Sequence, residues 1–227
     1  MADAMDSKSI SRKGVGVRLP SLAPAPLPEA RRTAAWREAA RDVGGVLWPS
    51  LGRELRSAGA ELGGFVNDLR RAPGRLLRDE SRLARQEDVA ERSRRAGWCL
   101  GVLAAAQGID LLNERREPEG LRWFVGDLIE ARGLVLRPSA AELPTVVCRA
   151  GRTWEICLLA GWCALRVGES SDGVVRWKAA QCGAIKSLAF EVGVRPLASP
   201  CGTLLAPAQS DWTRVELEAG QLVLTWQ

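Results

Sequence analysis

The chain has no histidine and no tyrosine in 227 residues, although it holds nine tryptophans. The missing imidazole removes the usual general base near neutral pH, the Ser-His-Asp and Cys-His nucleophile systems, and most zinc sites. Lysine is scarce too: apart from Lys8, Lys13, Lys178 and Lys186, the 32 basic residues are all arginine. The scarce residues mostly have A/T-rich codons, whereas Arg, Gly, Ala, Leu and Trp abound. That bias indicates a GC-rich gene, and a reading frame that overlaps another gene would produce it. The expectation drawn from it is a virus-type accessory protein.

Other absences narrow the chemistry further. The six cysteines, Cys99, Cys148, Cys157, Cys163, Cys182 and Cys201, contain no C-x-x-C pair, so they read as reduced structural thiols rather than metal ligands. Neither Gly14-Val15-Gly16 nor Gly63-Gly64 has the pattern of a phosphate-cradling loop. Glu117 and Glu119 read as solvated carboxylates in a polar loop. No enzyme, cofactor or metal is therefore expected. No window reaches the roughly 18–20 apolar residues of a membrane span. The first residues lack the layout of a secretory signal or a myristoylation site. Those absences give the expectation of an intracellular protein, cytoplasmic or nuclear and not secreted, with no membrane span.

What is present is a chain 46% hydrophobic with a net charge of +5, long enough to bury a real core. Its most apolar stretch is Gly97–Leu136. Trp98, Val102, Ala105, Ile109 and Leu112 recur at helical spacing. After the polar loop, Pro118 suits the first turn of a second helix carrying Leu121, Phe124, Val125, Leu128 and Ile129, with Gly133 as its cap. The pair reads as an antiparallel helical hairpin forming the main core.

Residues 1–30 read as a disordered, basic, proline-rich arm. Its prolines Pro20, Pro24, Pro26 and Pro28 lack PxxP spacing. Helical patterning follows from Glu29 to Arg95. Trp36, Ala40, Val43 and Leu47 make one stripe, and Pro49 with Ser50 suggests a new start. Leu51, Leu55, Ala58, Leu62, Phe65 and Leu69 then step by four and three, an a/d seam of nearly three heptads. Ala72-Pro73-Gly74 is a break, beyond which Leu76, Leu83 and Ala90 continue the seam through a charged helix, Arg75–Arg95.

After Leu136 the period changes. Thr145–Arg149, Thr153–Leu159 and Cys163–Val167 read as strands, with a turn or bulge at Gly161-Trp162. Ser170–Gly173 reads as a loop leading into Val174–Trp177. Leu188–Val194 is another strand, and the chain closes in a hairpin of Trp212–Glu218 with Gln221–Trp226.

The order Leu55-Arg56-Ser57-Ala58-Gly59, then Gly97-Trp98, then Trp154 and Trp162, is similar to the motif order of helical apoptosis regulators. Ala60 stands where that family has an acidic residue, and no Asn-Trp-Gly-Arg signature occurs at Trp98. The strand-like text around Trp154 also departs from an all-helical fold. The resemblance is not adopted.

The resulting expectation is an α+β protein in three parts: an arm over 1–30, a helical domain over 31–136 and a small antiparallel β-rich domain over 137–227. Two surfaces are candidates for function. The first is the seam Leu51, Leu55, Leu62, Phe65 and Leu69, for a host protein partner or a second copy in a homo-oligomer. The second is the face Arg71, Arg75, Arg78, Arg82 and Arg85, whose guanidinium forks suit RNA phosphates. Interleaved Asp79, Glu80, Glu87, Asp88 and Glu91 favour a merely solvated face there. The leading reading is a non-enzymatic interaction protein acting on host proteins. An Arg-rich RNA-binding protein, such as a silencing or defence suppressor, is the alternative, and a matrix-like assembly protein is the third.

Overall fold

In a computed structural model, the protein is described over residues 29–72, 79–109, 119–140, 143, 153–193 and 213–226. It is α+β. Its helices are α1 (Glu29–Arg71), α2 (Glu80–Ala106), α3 (Gly120–Ala131) and α4 (Thr153–Ser170). Its strands are β1 (Val135–Arg137), β2 (Val174–Cys182), β3 (Ile185–Glu191), β4 (Thr213–Glu218) and β5 (Gln221–Trp226). They form one sheet in the order β1-β2-β3-β5-β4. β1 runs parallel to β2, and every other pairing is antiparallel.

α4 stands at the centre, where strands were expected over Thr153–Leu159 and Cys163–Val167. Fourteen of its residues are buried, so it is enclosed on nearly every side. A helix apolar all round shows no 3.6-residue stripe, and a short apolar run cannot be told from a buried strand by period alone. Gly161, read as a turn, is instead a helix crossing. A Cβ there would stand 2.8 Å from Phe124 Cε1 and 2.9 Å from Leu128 Cδ2.

Two further corrections concern continuity. α1 runs unbroken through Pro49, where a restart was expected. An internal proline costs a helix about 3 kcal/mol, and the burial of Leu47 and Leu51 on either side offsets it. The charged stretch to Arg95 and the apolar stretch from Gly97 are likewise one helix, α2. Asp79 caps it, accepting a hydrogen bond from the Arg82 backbone N–H. Its last turn closes at Gly108, with φ +89°.

α3 buries Leu121, Phe124, Val125, Leu128 and Ile129 and ends as its sequence predicts. Gly133 takes φ +71°, and its N–H donates to the Glu130 carbonyl while that of Leu134 donates to Ile129. This is a Schellman cap.

The terminal hairpin forms with Val215 opposite Leu224 and Leu217 opposite Leu222. Ala219 and Gly220 both have positive φ, the requirement of a type I′ turn. β2 extends to Cys182, β3 starts at Ile185, and Ser171–Gly173 link α4 to β2. One sheet face carries Val175, Trp177, Leu188, Phe190, Leu222, Leu224 and Trp226, buried against α4. The other presents Arg176, Lys178, Arg214 and Glu216 to solvent.

Among the described residues, every buried hydrophobic side chain except Ala58 and Val89 belongs to one cluster from Trp36 to Trp226. It is continuous across the expected boundary at 136/137, where β1 joins β2. The arm 1–30, except for Glu29 and Ala30 in α1, lies outside the described residues. So do the expected strand Thr145–Arg149, Leu76, Leu112, Pro118 and Trp212.

Candidate functional site

Beyond Leu51, α1 leaves the core and pairs with the first half of α2. This splits the a/d seam in two. Leu51 and Ala58 are buried and Phe65 is half-buried. Leu55, Leu62 and Leu69 stay exposed, at 40%, 41% and 38%. Trp48 (48%) and Val66 (43%) extend the exposed set. Trp48, Leu55, Leu62 and Leu69 recur every seven residues, a spacing that drifts only about 20° per heptad around a helix. Val66 falls about five turns from Trp48, on the same line. α1 therefore carries a continuous apolar stripe on its outer side. The sequence pointed to Leu55, Leu62 and Leu69 but missed Trp48 and Val66, because an a/d search does not include them.

Ion pairs flank the inner side of this helical pair. Arg92 is its hub: Nη1 lies 3.5 Å from Glu54, Nη2 3.1 Å from Glu61 and Nε 2.9 Å from Asp88. Arg82 lies 2.7 Å from Asp68 and 3.6 Å from Asp79. The Arg92 hydrogen bond holds the Glu61 carboxyl below its ordinary range. Glu54, Glu61 and Asp68 also recur every seven residues, on the side of α1 that faces α2. Ala58 on α1 and Val89 on α2 are buried beside these half-exposed pairs, so the pairs form a charged rim to a covered apolar seam, and Leu55, Leu62 and Leu69 make a second apolar line outside it.

The arginine face is only partly assembled among the described residues. Arg71 ends α1 and is exposed, and Arg85 is exposed on α2. Arg82 is held by two carboxylates, while Arg75 and Arg78 lie outside the described residues. Among the described residues, the tryptophans other than exposed Trp48 form no base-stacking platform. Trp36, Trp98, Trp123, Trp162, Trp177 and Trp226 are buried in the core.

A third cluster was not foreseen. Arg95 pairs with Asp127, whose other oxygen lies 3.7 Å from the Cys99 sulfur. Burial raises the Asp127 carboxyl against the pull of Arg95. Burial, and then Asp127, push the Cys99 thiol well up, which keeps it out of the reactive thiolate form. A cleft of about 190 Å³ beside it is lined by Ser50, Glu54, Arg92, Arg95, Asp127 and Glu130. Both arginines there already have carboxylate partners. Among the described residues, no group of three or more acidic or cysteine side chains is placed to hold a metal ion. No helix among them is long and apolar enough to cross a membrane.

The chain matches no family model and no curated protein sequence. Of the earlier departures from the helical apoptosis regulators, the strand-like text around Trp154 is in fact helical, while the five-stranded sheet keeps the fold from being all-helical.

Proposed function

We propose that this is a non-enzymatic interaction protein whose working surface is the outer stripe of α1, Trp48 with Leu55, Leu62, Val66 and Leu69. The single observation that supports the reading is the second apolar line that α1 leaves exposed outside the seam covered by α2. An apolar stripe along one helix is the surface a partner helix recognises, through anchors spaced at helical turns. The lack of histidine and the suppressed Cys99 thiol fit a protein without chemistry of its own. The residue bias fits a virus-type accessory factor that engages host proteins in the cytoplasm or nucleus.

The test is the double substitution Leu55→Asp with Leu62→Asp. Both side chains are exposed, so circular dichroism and the melting temperature stay near those of the native chain while protein partners are lost. Retention of every partner by a folded double variant would end this reading.

The RNA-binding alternative has its own support in Arg71 and Arg85, exposed on adjoining helices. Phosphate contacts are salt-sensitive. Nucleic acid that co-elutes in low salt, leaves in high salt and is lost in Arg71→Glu/Arg85→Glu would favour it over the stripe.

A further inference from the structure

At the β1 edge of the sheet, the register sets two arginines side by side. β1 pairs in parallel with β2, and Arg137 lies opposite Arg176. Neighbouring strands run about 4.8 Å apart, and like charges directly opposite one another destabilise a pair. Lys178, two residues along β2, stands on the same outer face. All three side chains are exposed. With Pro138, Trp177 and Glu191 they line a cleft of about 820 Å³. Trp177 is buried, and its indole N–H donates to the Pro138 carbonyl at 2.8 Å, tying the chain beyond β1 to β2. The two arginines are therefore held together by the backbone on both sides.

Carboxylates offset this charge only in part. Asp172 lies 3.9 Å from Arg176 and Glu191 lies 3.7 Å from Lys178, through side chains 39% to 72% exposed. Such pairs contribute little. Among the described residues Arg137 enters no ion pair, whereas Arg82, Arg92 and Arg166 hold carboxylates at 2.7–2.9 Å. The cleft thus sets three cations against the one carboxylate of Glu191, a surplus of two positive charges that matches a dianion. A dianion between the arginines turns their repulsion into attraction, and guanidinium forks suit phosphate oxygens. The volume falls within the roughly 300–1,000 Å³ of small-molecule sites, so the phosphate carries an organic group. We infer that this cleft binds a phosphate monoester, its phosphate between Arg137 and Arg176 beside Lys178 and its organic part against Pro138 and Trp177. The site lies on the sheet, away from the α1 stripe, and adds a small ligand to the interaction reading.

The experiment titrates phenyl phosphate into the full chain at constant ionic strength, followed by phosphorus NMR. The native chain should bind one equivalent. Arg137→Gln and Arg176→Gln should each weaken binding about tenfold, as loss of a charged hydrogen-bonding partner does. Both should melt no lower than the native chain, because each removes a like-charge neighbour. Glu191→Gln should bind more tightly. Arg214→Gln, the same charge change on the same sheet face outside the cleft, should bind as the native chain does. Vesicles containing phosphatidylinositol 4-phosphate, compared with phosphatidylserine vesicles of equal charge, separate a lipid headgroup from a free ester as the source of the phosphate. Absence of phenyl phosphate binding, or equal weakening by Arg214→Gln and Arg137→Gln, would overturn the site. A single-stranded RNA that binds through Arg137 and Arg176 where phenyl phosphate does not would overturn it in favour of phosphodiesters.

Discussion

At Gly120, α3 begins directly against the indole of Trp98. A Cβ there would stand 2.3 Å from Cε2 and 2.4 Å from Cζ2 of that ring. Trp98 is buried among core side chains that leave it little room to retreat. Gly120→Ala should therefore destabilise the fold by about 1–3 kcal/mol, the usual cost of overpacking, read as a lowered urea midpoint. An unchanged midpoint would show that the ring moves freely. Glu61 carries a prediction about acid. Its folded carboxyl titrates below its ordinary value of 4.5 because Arg92 hydrogen-bonds the charged form. The group contributes its full stability above that value and loses it as the pH falls through the depressed folded value. Asp127 acts in the opposite sense. Burial raises its carboxyl above the ordinary 3.8, so its contribution declines as the pH rises through that region. Glu61→Gln should flatten the acid side of the stability profile, checked by urea titrations at successive pH values. A profile that stays as steep would mean that the Arg92 contact is not held in solution.

At the scale of the element, α1 changes character along its length. Trp36, Ala39, Ala40, Val43, Leu47 and Leu51 anchor it in the core, and beyond them only Ala58 is fully covered among its apolar residues. Leu51→Ala should cost about 2–5 kcal/mol, as truncation of a buried leucine does. Leu55→Ala, one turn further, should stay within about 0.5 kcal/mol in the monomer, as surface substitutions usually do. Chemical denaturation at low protein concentration measures both. Equal costs would mean that the seam is core throughout. The heptad pattern was legible in the sequence, but its division into a covered and an open half was not. Period places residues on a face; only the position of α2 decides which face is covered. The same limit applies to Glu54, Glu61 and Asp68, whose partners Arg82 and Arg92 come from the next helix.

On the scale of the whole molecule, α4 joins the helical layer to the sheet. It packs against α1, α2 and α3, and also against β2, β3 and β5. With one core cluster from Trp36 to Trp226, helices and sheet should unfold together. Far-ultraviolet dichroism, dominated by the helices, and the fluorescence of tryptophans in both layers should trace one coincident transition. Two separated transitions would mean that the helical and β-rich parts fold apart, as the change of pattern at residue 136 suggests.

Local chemistry read from the sequence held where it depends on neighbours along the chain. The end of α1 at Arg71, the Gly133 cap, the apolar face of α3 and the Ala219-Gly220 hairpin all follow from backbone preference and side-chain period. The α+β class followed from the same signals. Tertiary structure alone decided the rest. Thr153–Ser170 is helical because other elements enclose it on nearly every side, and an all-round apolar segment carries no period to reveal that. Pro49 lies within α1 because burial outweighs its missing hydrogen bond. The open leucine stripe exists because α2 covers one side of α1 and leaves the other, a choice made by contacts between residues far apart in sequence.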